Sequence, residues 1–434
     1  MRAGLPTGGR ECVIGRTGAM RIALDARTIF SPKPRGTGRN LADAYRLIPA
    51  LRPDWEFILY HQRDARHCPL LSPPSNAPHA QAGLCSHPNV RTRRIDIPGN
   101  RFDLWFQVRL PLAARRDRVD LLHLPANAAP AWCPVPYVVT VHDLIPLRVA
   151  GQTTRWARQA FRRGLERALH GAAHVITPSN TTRDELHKEF GLSHERATVI
   201  PWAPDQNVAA RIGNDEMQAA IRRVRARYQL DKAWLLNFSG SSRRKNATGI
   251  VEAVARSAPK LRSGLLVVLV GCEPPAVRAK LEALAERLGV RSCFRFQGFI
   301  PHEDLAALLS GARGLLIPSL AEGFGLPILD AFASGVPVLT SNLSSMPEVA
   351  GDAAVYCDPH DPGSIAAGIA QLLDRAVANR LVARGTARVR AFTWERTAAA
   401  MCAAYEHCRA LQPTVAGASR LWNSGKMPEP PCAR

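Results

Sequence analysis

No long apolar run occurs in this sequence. The longest run of large aliphatic residues is Leu265–Val270, far short of the roughly 20 residues a bilayer-spanning helix needs, so no segment reads as transmembrane. The 10 cysteines include no C-x-x-C pair and no Cys/His group at metal spacing. That removes zinc modules and a disulfide framework; Cys272, Cys293 and Cys357 sit in or beside apolar runs as small hydrophobes, and a reducing cytoplasm is the simplest setting. There is no Asp-x-Asp to carry a metal on a loop, and neither a metal nor a cofactor is expected. Lysine is scarce: 7 lysines stand beside 50 arginines. With 57 basic and 36 acidic residues the net charge is +21, which admits nucleic acid, an anionic membrane or a phosphorylated ligand. An Arg- and Ala-rich, GC-rich genome would produce the same excess. Basic residues interleaved with exposed aromatics, or a nucleic-acid module, are missing, so nucleic acid is not expected as a partner.

What is present is a chain of 434 residues, 46% hydrophobic and 21% charged, enough for two to three domains with their own cores. Residues 1–19 hold no signal-peptide run and read as a leader or a wrongly assigned start outside the fold, since regular pattern begins at Met20. Short apolar strands then alternate with amphipathic helices: Arg21–Asp25, Glu56–Tyr60, Leu121–Leu124, Tyr137–Val141, His174–Thr177 and Thr198–Ile200 are strand-like, and 62–90 reads as a surface loop. A second alternating set starts at Trp234, with strands Leu265–Gly271, Phe294–Gln297, Gly314–Pro318 and Val336–Thr340. The expectation is an α/β chain of two Rossmann-like domains: 20–205, a linker region 206–230, 231–394, a C-terminal helix 395–412 packing back on the first domain, and a disordered tail 413–434.

Two such domains leave a cleft at the carboxyl ends of their strands, where ligands bind on strand-to-helix loops. Strand Gly314–Pro318 runs into Ser319-Leu-Ala-Glu-Gly-Phe-Gly-Leu-Pro-Ile-Leu-Asp330. Its glycines permit a tight turn, Pro327 suits the start of a helix, and the amides of Phe324, Gly325 and Leu326 would face a ligand. Glu322 and Asp330, before the turn and one helical turn inside, can reach different parts of one ligand; an ordinary turn with Glu322 as a solvated cap is the plainer alternative. Strand Trp234–Ser239 runs into Gly240-Ser-Ser-Arg-Arg-Lys-Asn246, a glycine turn with three cations before a helix, which reads as a diphosphate cradle or as a solvated basic loop. His142-Asp143 ends an apolar strand, and Arg35-Gly-Thr-Gly-Arg39 follows the first.

These residues carry a resemblance. From Met20 to about Tyr405 the chain resembles the family 4 retaining glycosyltransferases of the GT-B fold, on the mannosyltransferase-like branch that builds bacterial surface polysaccharides. The match lies in Glu322-Gly-Phe-Gly-Leu-Pro-Ile-Leu-Asp330 with the following Ala331-Phe-Ala-Ser-Gly-Val-Pro-Val338, in Ser341-Asn342, Pro347-Glu-Val-Ala-Gly-Asp352, Arg244-Lys-Asn246, Thr140-Val-His-Asp143 and Ile176-Thr-Pro-Ser179. The resemblance implies a sugar-nucleotide donor, GDP-mannose favoured, and a saccharide or lipid-linked saccharide acceptor. By the same resemblance Glu322 and the amides of Phe324, Gly325 and Leu326 hold the donor sugar, Lys245 with Arg244 the diphosphate, and Asp330 the ribose. His142 lies near the reacting carbon, and Gly36 and Gly38 lie near diphosphate and acceptor. His142 and Glu322 are the expected catalytic pair, with transfer retaining and metal-independent. Asp330 replaces the family's usual Glu, and Ser241 stands where many members have arginine. A glucan or sucrose-type synthase, or a non-catalytic sugar-nucleotide binder, is the alternative.

One surface stays open at this stage. Arg155–His170 carries Trp156, Ala160, Phe161, Gly164, Leu165, Ala168 and Leu169 at helical spacing with Arg155, Arg158, Arg162, Arg163 and Arg167 largely off the stripe. It reads as a core-packed helix with a solvated basic face, or as a surface that touches anionic lipid at the inner face of the cell membrane.

Overall fold

The computed structural model describes residues 19–31, 36–62, 83–97, 102–149, 151–205, 215–239, 242–273 and 275–410. The expected leader up to residue 18, Arg35, most of the 62–90 loop, linker residues 206–214, Gly240, Ser241 and the tail from 411 lie outside the described residues.

Two parallel sheets form the frame. The first holds β1 (Arg21–Asp25), β2 (Glu56–His61), β3 (Val90–Arg94), β4 (Leu121–Leu124), β5 (Tyr137–Thr140), β6 (His174–Thr177) and β7 (Ala197–Val199), in the order β3-β2-β1-β4-β5-β6-β7. The second holds β8 (Ala233–Asn237), β9 (Leu265–Val270), β10 (Phe294–Gln297), β11 (Gly314–Ile317), β12 (Val338–Ser341) and β13 (Ala354–Cys357), in the order β10-β9-β8-β11-β12-β13. Their central strands read as continuous apolar runs because helices cover both faces; Leu265–Val270 is buried at every position. Both sheets reverse their order beside the first strand, between β1 and β4 and between β8 and β11. A crevice opens at such a point, at the carboxyl ends of the strands.

β3 was hidden in the sequence. Val90-Arg-Thr-Arg-Arg94 is an edge strand, mostly polar, and its arginines guard the edge against a further strand. The first helix, Gly36–Leu51, begins inside the glycine stretch that follows the first strand. Glycine disfavours helix, but at Gly38 it is required by space: a Cβ there would lie 2.2 Å from the Thr28 carbonyl oxygen, so only a bare backbone lets this turn rest on the loop after β1.

The last helix, Trp394–Ala410, crosses from the second sheet to the first and packs against the helix Gly36–Leu51 and against β4 and β6. Its Tyr405 hydroxyl lies 2.9 Å from both the Tyr45 hydroxyl and His123 Nδ1, all buried. Burial holds His123 neutral, with its pKa pushed down to about 3. Higher up the same helix, Trp394 Nε1 donates to the Pro204 carbonyl at 2.9 Å and Thr397 Oγ1 to the Pro201 carbonyl at 2.7 Å. The segment 200–205, and Trp202 with it, is thereby fixed over the crevice. The helix Arg155–Gly171 corrects its expected stripe: Phe161, Leu165, Ala168 and Leu169 pack on the core of the first sheet, while Ala160 is exposed and Trp156 is 87% exposed. No helix among the described residues is long and apolar enough to cross a membrane.

Candidate active site

The two loops that flank the β8–β11 reversal meet. Past β8, Arg243–Lys245 forms a 3-10 turn and Asn246 caps the helix Ala247–Arg256 in the left-handed region, its side chain accepting from the Gly249 amide at 3.2 Å. The same side chain donates to the carbonyls of Pro318 (3.1 Å) and Pro359 (2.7 Å), and the Leu320 amide donates to the Arg244 carbonyl at 2.7 Å. The basic loop is thus fastened to the loop that follows β11.

Glu322 receives both cations of that loop. Lys245 Nζ lies 2.6 Å from Glu322 Oε1, Arg244 pairs with Oε2, and Ser319 Oγ donates to Oε1 at 3.0 Å. Burial alone would raise this carboxyl, but Lys245 and Arg244 outweigh it and hold it below the usual range. The plainer alternative from the sequence, a solvated cap, is overturned: Glu322 is 8% exposed. Its turn is pinned by residues the sequence gave no reason to single out. Ser344 Oγ and Ser345 Oγ donate to the Glu322 carbonyl at 2.6 and 2.9 Å, and Ser345 Oγ also to that of Phe324. Gly325, at φ 105°, precedes the helix Leu326–Ala333, and the amides of Phe324, Gly325 and Leu326 have no partner among the described residues. They are three donors without a protein acceptor, as a ligand site at a helix start requires.

His142 faces this turn from the first sheet. Its Nε2 donates to the Pro125 carbonyl at 2.6 Å, which fixes the tautomer. Burial lowers its pKa, so the ring is neutral near pH 7 and Nδ1 is the acceptor. Asn127, at positive φ, accepts from the His142 amide at 2.7 Å and donates to the Asp143 carbonyl at 3.2 Å; Trp202 stacks on the ring at 6.1 Å. Neither Asn127 nor Trp202 carries a sequence signal, because each acts through a partner distant in the chain.

The halves also touch beside this turn. Ser179 Oγ donates to the Gly323 carbonyl at 2.8 Å, and Glu348 accepts from the amides of Asn180 (2.9 Å) and Thr181 (3.2 Å) at the start of the helix Asn180–Phe190. A carboxylate at a helix N-terminus is favourably placed.

Nine of the ten expected residues line one cavity of about 670 Å³: Gly36, His142, Arg244, Lys245, Glu322, Phe324, Gly325, Leu326 and Asp330. Gly38 does not line it and serves beneath as the packing contact described above. Asp43, Asp205, Trp202 and Phe299 line it too, outside the sequence expectation. Asp330 Oδ1 accepts from the Asp205 amide at 2.9 Å. Burial, and then the Asp205 charge, push the Asp330 carboxyl up to about 7; burial likewise raises Asp43 to about 7, against its ion pair with Arg46.

This has a thermodynamic consequence. Asp330 titrates near 3.9 when unfolded and about 7 when folded, so it costs the fold nothing below pH 4 and up to roughly 4 kcal/mol above pH 7. Asp330→Asn, which can still accept from the Asp205 amide, is expected to melt several degrees higher than the parent at pH 8. The gain should vanish on descending to pH 4. Calorimetric melts across that range check it; a gain of equal size at every pH would contradict the raised carboxyl.

Comparison with known proteins agrees with this architecture. The family description "Glycosyltransferase Family 4" matches residues 69–206, and "Glycosyl transferases group 1" matches 221–388. The O-antigen chain mannosyltransferase B of Escherichia coli is 31% identical over 271 residues, 62% of this chain and 70% of that protein. The serotype-specific mannosyltransferase WbdA of Escherichia coli is 29% identical over 63% of this chain, which spans only 33% of that longer protein. Among solved structures, sucrose-phosphate synthase from Thermosynechococcus elongatus superposes with a TM-score of 0.69 at 22% identity, over 90% of this chain and 99% of that one. With two parallel α/β sheets facing a cleft, the chain belongs to the family 4, group 1 glycosyltransferases, mannosyltransferase-like and of the GT-B fold.

Proposed function

We propose that this glycosyltransferase moves mannose from GDP-mannose to a saccharide or lipid-linked saccharide acceptor in surface polysaccharide synthesis, with retention and without an essential metal, at the inner face of the cell membrane. The observation that carries the reading is the convergence of Lys245, Arg244, Glu322 and three unpartnered amides on one cavity opposite a neutral His142. The relatives' mannosyltransferase names favour mannose among hexoses.

In this scheme Lys245 and Arg244 take the donor diphosphate. Glu322 and the amides of Phe324, Gly325 and Leu326 take the sugar hydroxyls, and Asp330 takes the ribose. His142 Nδ1 accepts from a hydroxyl beside the reacting carbon. The Gly36 turn faces the acceptor, and Phe299, 68% exposed on the wall, offers a flat face to the base. As the bond from the anomeric carbon to the diphosphate lengthens, negative charge grows on phosphate oxygens already facing two cations. The acceptor hydroxyl attacks the same face, and its proton passes to the departing phosphate oxygen. Of the further carboxylates that line the cavity, Asp143 stands beside His142 with its Oδ1 already accepting from the Ile145 amide at 3.0 Å, and this reading gives it no covalent role, taking the front-face route over double displacement.

The test is a donor panel. GDP-mannose should give the largest thermal shift and then transfer to a mannoside, with the α-anomer retained by NMR and activity kept in EDTA. A preference for UDP- or ADP-glucose would move the chain to the glucan-synthase reading, and a shift without transfer or hydrolysis would make it a binding homologue.

A further inference from the structure

We propose that the open edge of the second sheet carries a separate anion site, which takes a small molecule through its phosphate group. The site goes beyond the transfer reading and does not depend on it: its test reads binding at the edge, and Lys245→Ala controls for phosphate held in the cleft.

β10 is the outermost strand of that sheet. A cavity of about 330 Å³ lies against it, within the size range of small-ligand sites. Four arginines line it, and no carboxylate does among the described residues. Arg227 comes from the end of the helix Asp215–Arg227 on one face of the sheet, and Arg278 from the helix Pro275–Arg287 on the other. Arg295 stands on β10 itself and Arg291 in the turn before it. The Nη1 atoms of Arg291 and Arg295 both donate to the Phe294 carbonyl, at 3.3 and 3.2 Å, so two cations stand side by side. Arg291 is further set by the buried Phe296, whose ring centroid lies 5.1 Å from its guanidinium carbon.

The plainer reading is an edge guarded by charge, as at β3. There each arginine has its own carboxylate: Arg91 meets Glu56, Arg93 meets Asp117 and Arg94 meets Asp96. At β10 that balance fails. Arg278 and Arg291 share one oxygen, Glu282 Oε1, at 3.1 and 3.0 Å. Arg295 meets only the exposed Asp231, at 3.5 Å, and Arg227 meets Asp304, which also accepts from the Tyr228 hydroxyl at 2.7 Å. The adjoining groove adds Arg222 and Arg225, neither with a carboxylate partner among the described residues. Like charges gathered this way repel, and an anion between them relieves the repulsion. Guanidinium forks arriving from several sides suit the oxygens of a terminal phosphate, which they bind in pairs of hydrogen bonds. The concavity favours a small molecule over a long polyanion, which would lie along an open surface. The site is distinct from the active-site cavity but shares a segment with it. β10 runs on to Phe299, and Asp304 precedes Leu305; Phe299 and Leu305 line that other cavity.

The full chain is titrated with inorganic phosphate, a hexose phosphate and a nucleoside monophosphate at fixed ionic strength, and hydrogen exchange locates each. Protection is expected over 226–231 and 291–297 with at least one probe, and it should persist in Lys245→Ala. The probe that binds most tightly there identifies the source of the phosphate. Arg278→Ala should weaken that binding about tenfold, the loss of one charge-assisted contact. Its melting curve should barely move, because an exposed pair on one helix contributes little. Arg291→Lys keeps the charge but not the fork, and should weaken binding several-fold. No edge protection by any probe at about 10 mM, protection confined to 299–305, or loss of edge protection in Lys245→Ala would each overturn the proposal. So would an affinity unchanged in both arginine variants, or displacement of the probe by duplex DNA, which would make the edge a polyanion surface.

Discussion

Gly323→Ala is expected to lower kcat/KM by about 100-fold or more while shifting the melting temperature only a few degrees. A Cβ at Gly323 would lie 2.0 Å from the His142 carbonyl oxygen and 2.9 Å from the Asp143 Cβ. The nearest of these atoms is backbone at the end of β5, so no rotamer relieves the overlap. Overpacking inside a core costs about 1–3 kcal/mol. Here the clash lies between the two halves, and the cheaper relief is to part them. That would stretch the Ser179–Gly323 bond at 2.8 Å, made by a buried hydroxyl, and the more exposed Glu348 contacts with Asn180 and Thr181. Each half keeps its own core, so folding survives. His142 and the Glu322 turn move apart by the ångström or so that costs about 100-fold in a positioned reaction. Steady-state kinetics beside a calorimetric melt and nucleoside diphosphate binding check this. Parent turnover in the alanine variant would show that the halves need not approach this closely.

The sheets and the site loops were legible for a shared physical reason. Strands buried on both faces must be apolar throughout, as in Leu265–Val270 and Tyr137–Val141, and the polar residues that interrupt them mark strand ends, where a cleft forms. Glu322, Lys245 and His142 therefore stood out. β3 did not, because an edge strand is free to carry Val90-Arg-Thr-Arg-Arg94. Asn127, Trp202, Ser344 and Ser345 did not, because their work is done on partners such as His142 and Glu322 that only the fold brings near. Trp156 was misread for the complementary reason: periodicity reports a helical stripe but not whether a neighbour covers it. Least legible was the spending of charge. The basic loop and Glu322 read as separate ligand sites, one for phosphate and one for sugar, yet the two cations rest on that carboxylate.

That shared charge sets the second large effect. Lys245→Ala is expected to weaken donor binding by about 10- to 150-fold, the worth of a charge-assisted contact of roughly 1.5–3 kcal/mol to the proposed diphosphate position. It should do more than remove one contact. Glu322 is buried, and it ionises below the usual range only because Lys245 and Arg244 together outweigh that burial. With Arg244 alone the carboxyl rises, so the acidic limb of the pH–rate profile should move to higher pH in the alanine variant. Glu322→Gln tests the same triad from the other side. It releases both cations while leaving an amide that cannot accept as a carboxylate does, so nucleoside diphosphate should bind as well as to the parent or better, and turnover should fall. Calorimetric titration with the nucleoside diphosphate alone, set beside kinetics with the sugar nucleotide, separates the two. The assignment of phosphate to Lys245 and sugar to Glu322 fails if Lys245→Ala keeps the parent's donor affinity. It fails equally if Glu322→Gln loses nucleoside diphosphate affinity to the same degree, since the carboxylate would then be holding the phosphate site together rather than reading the sugar.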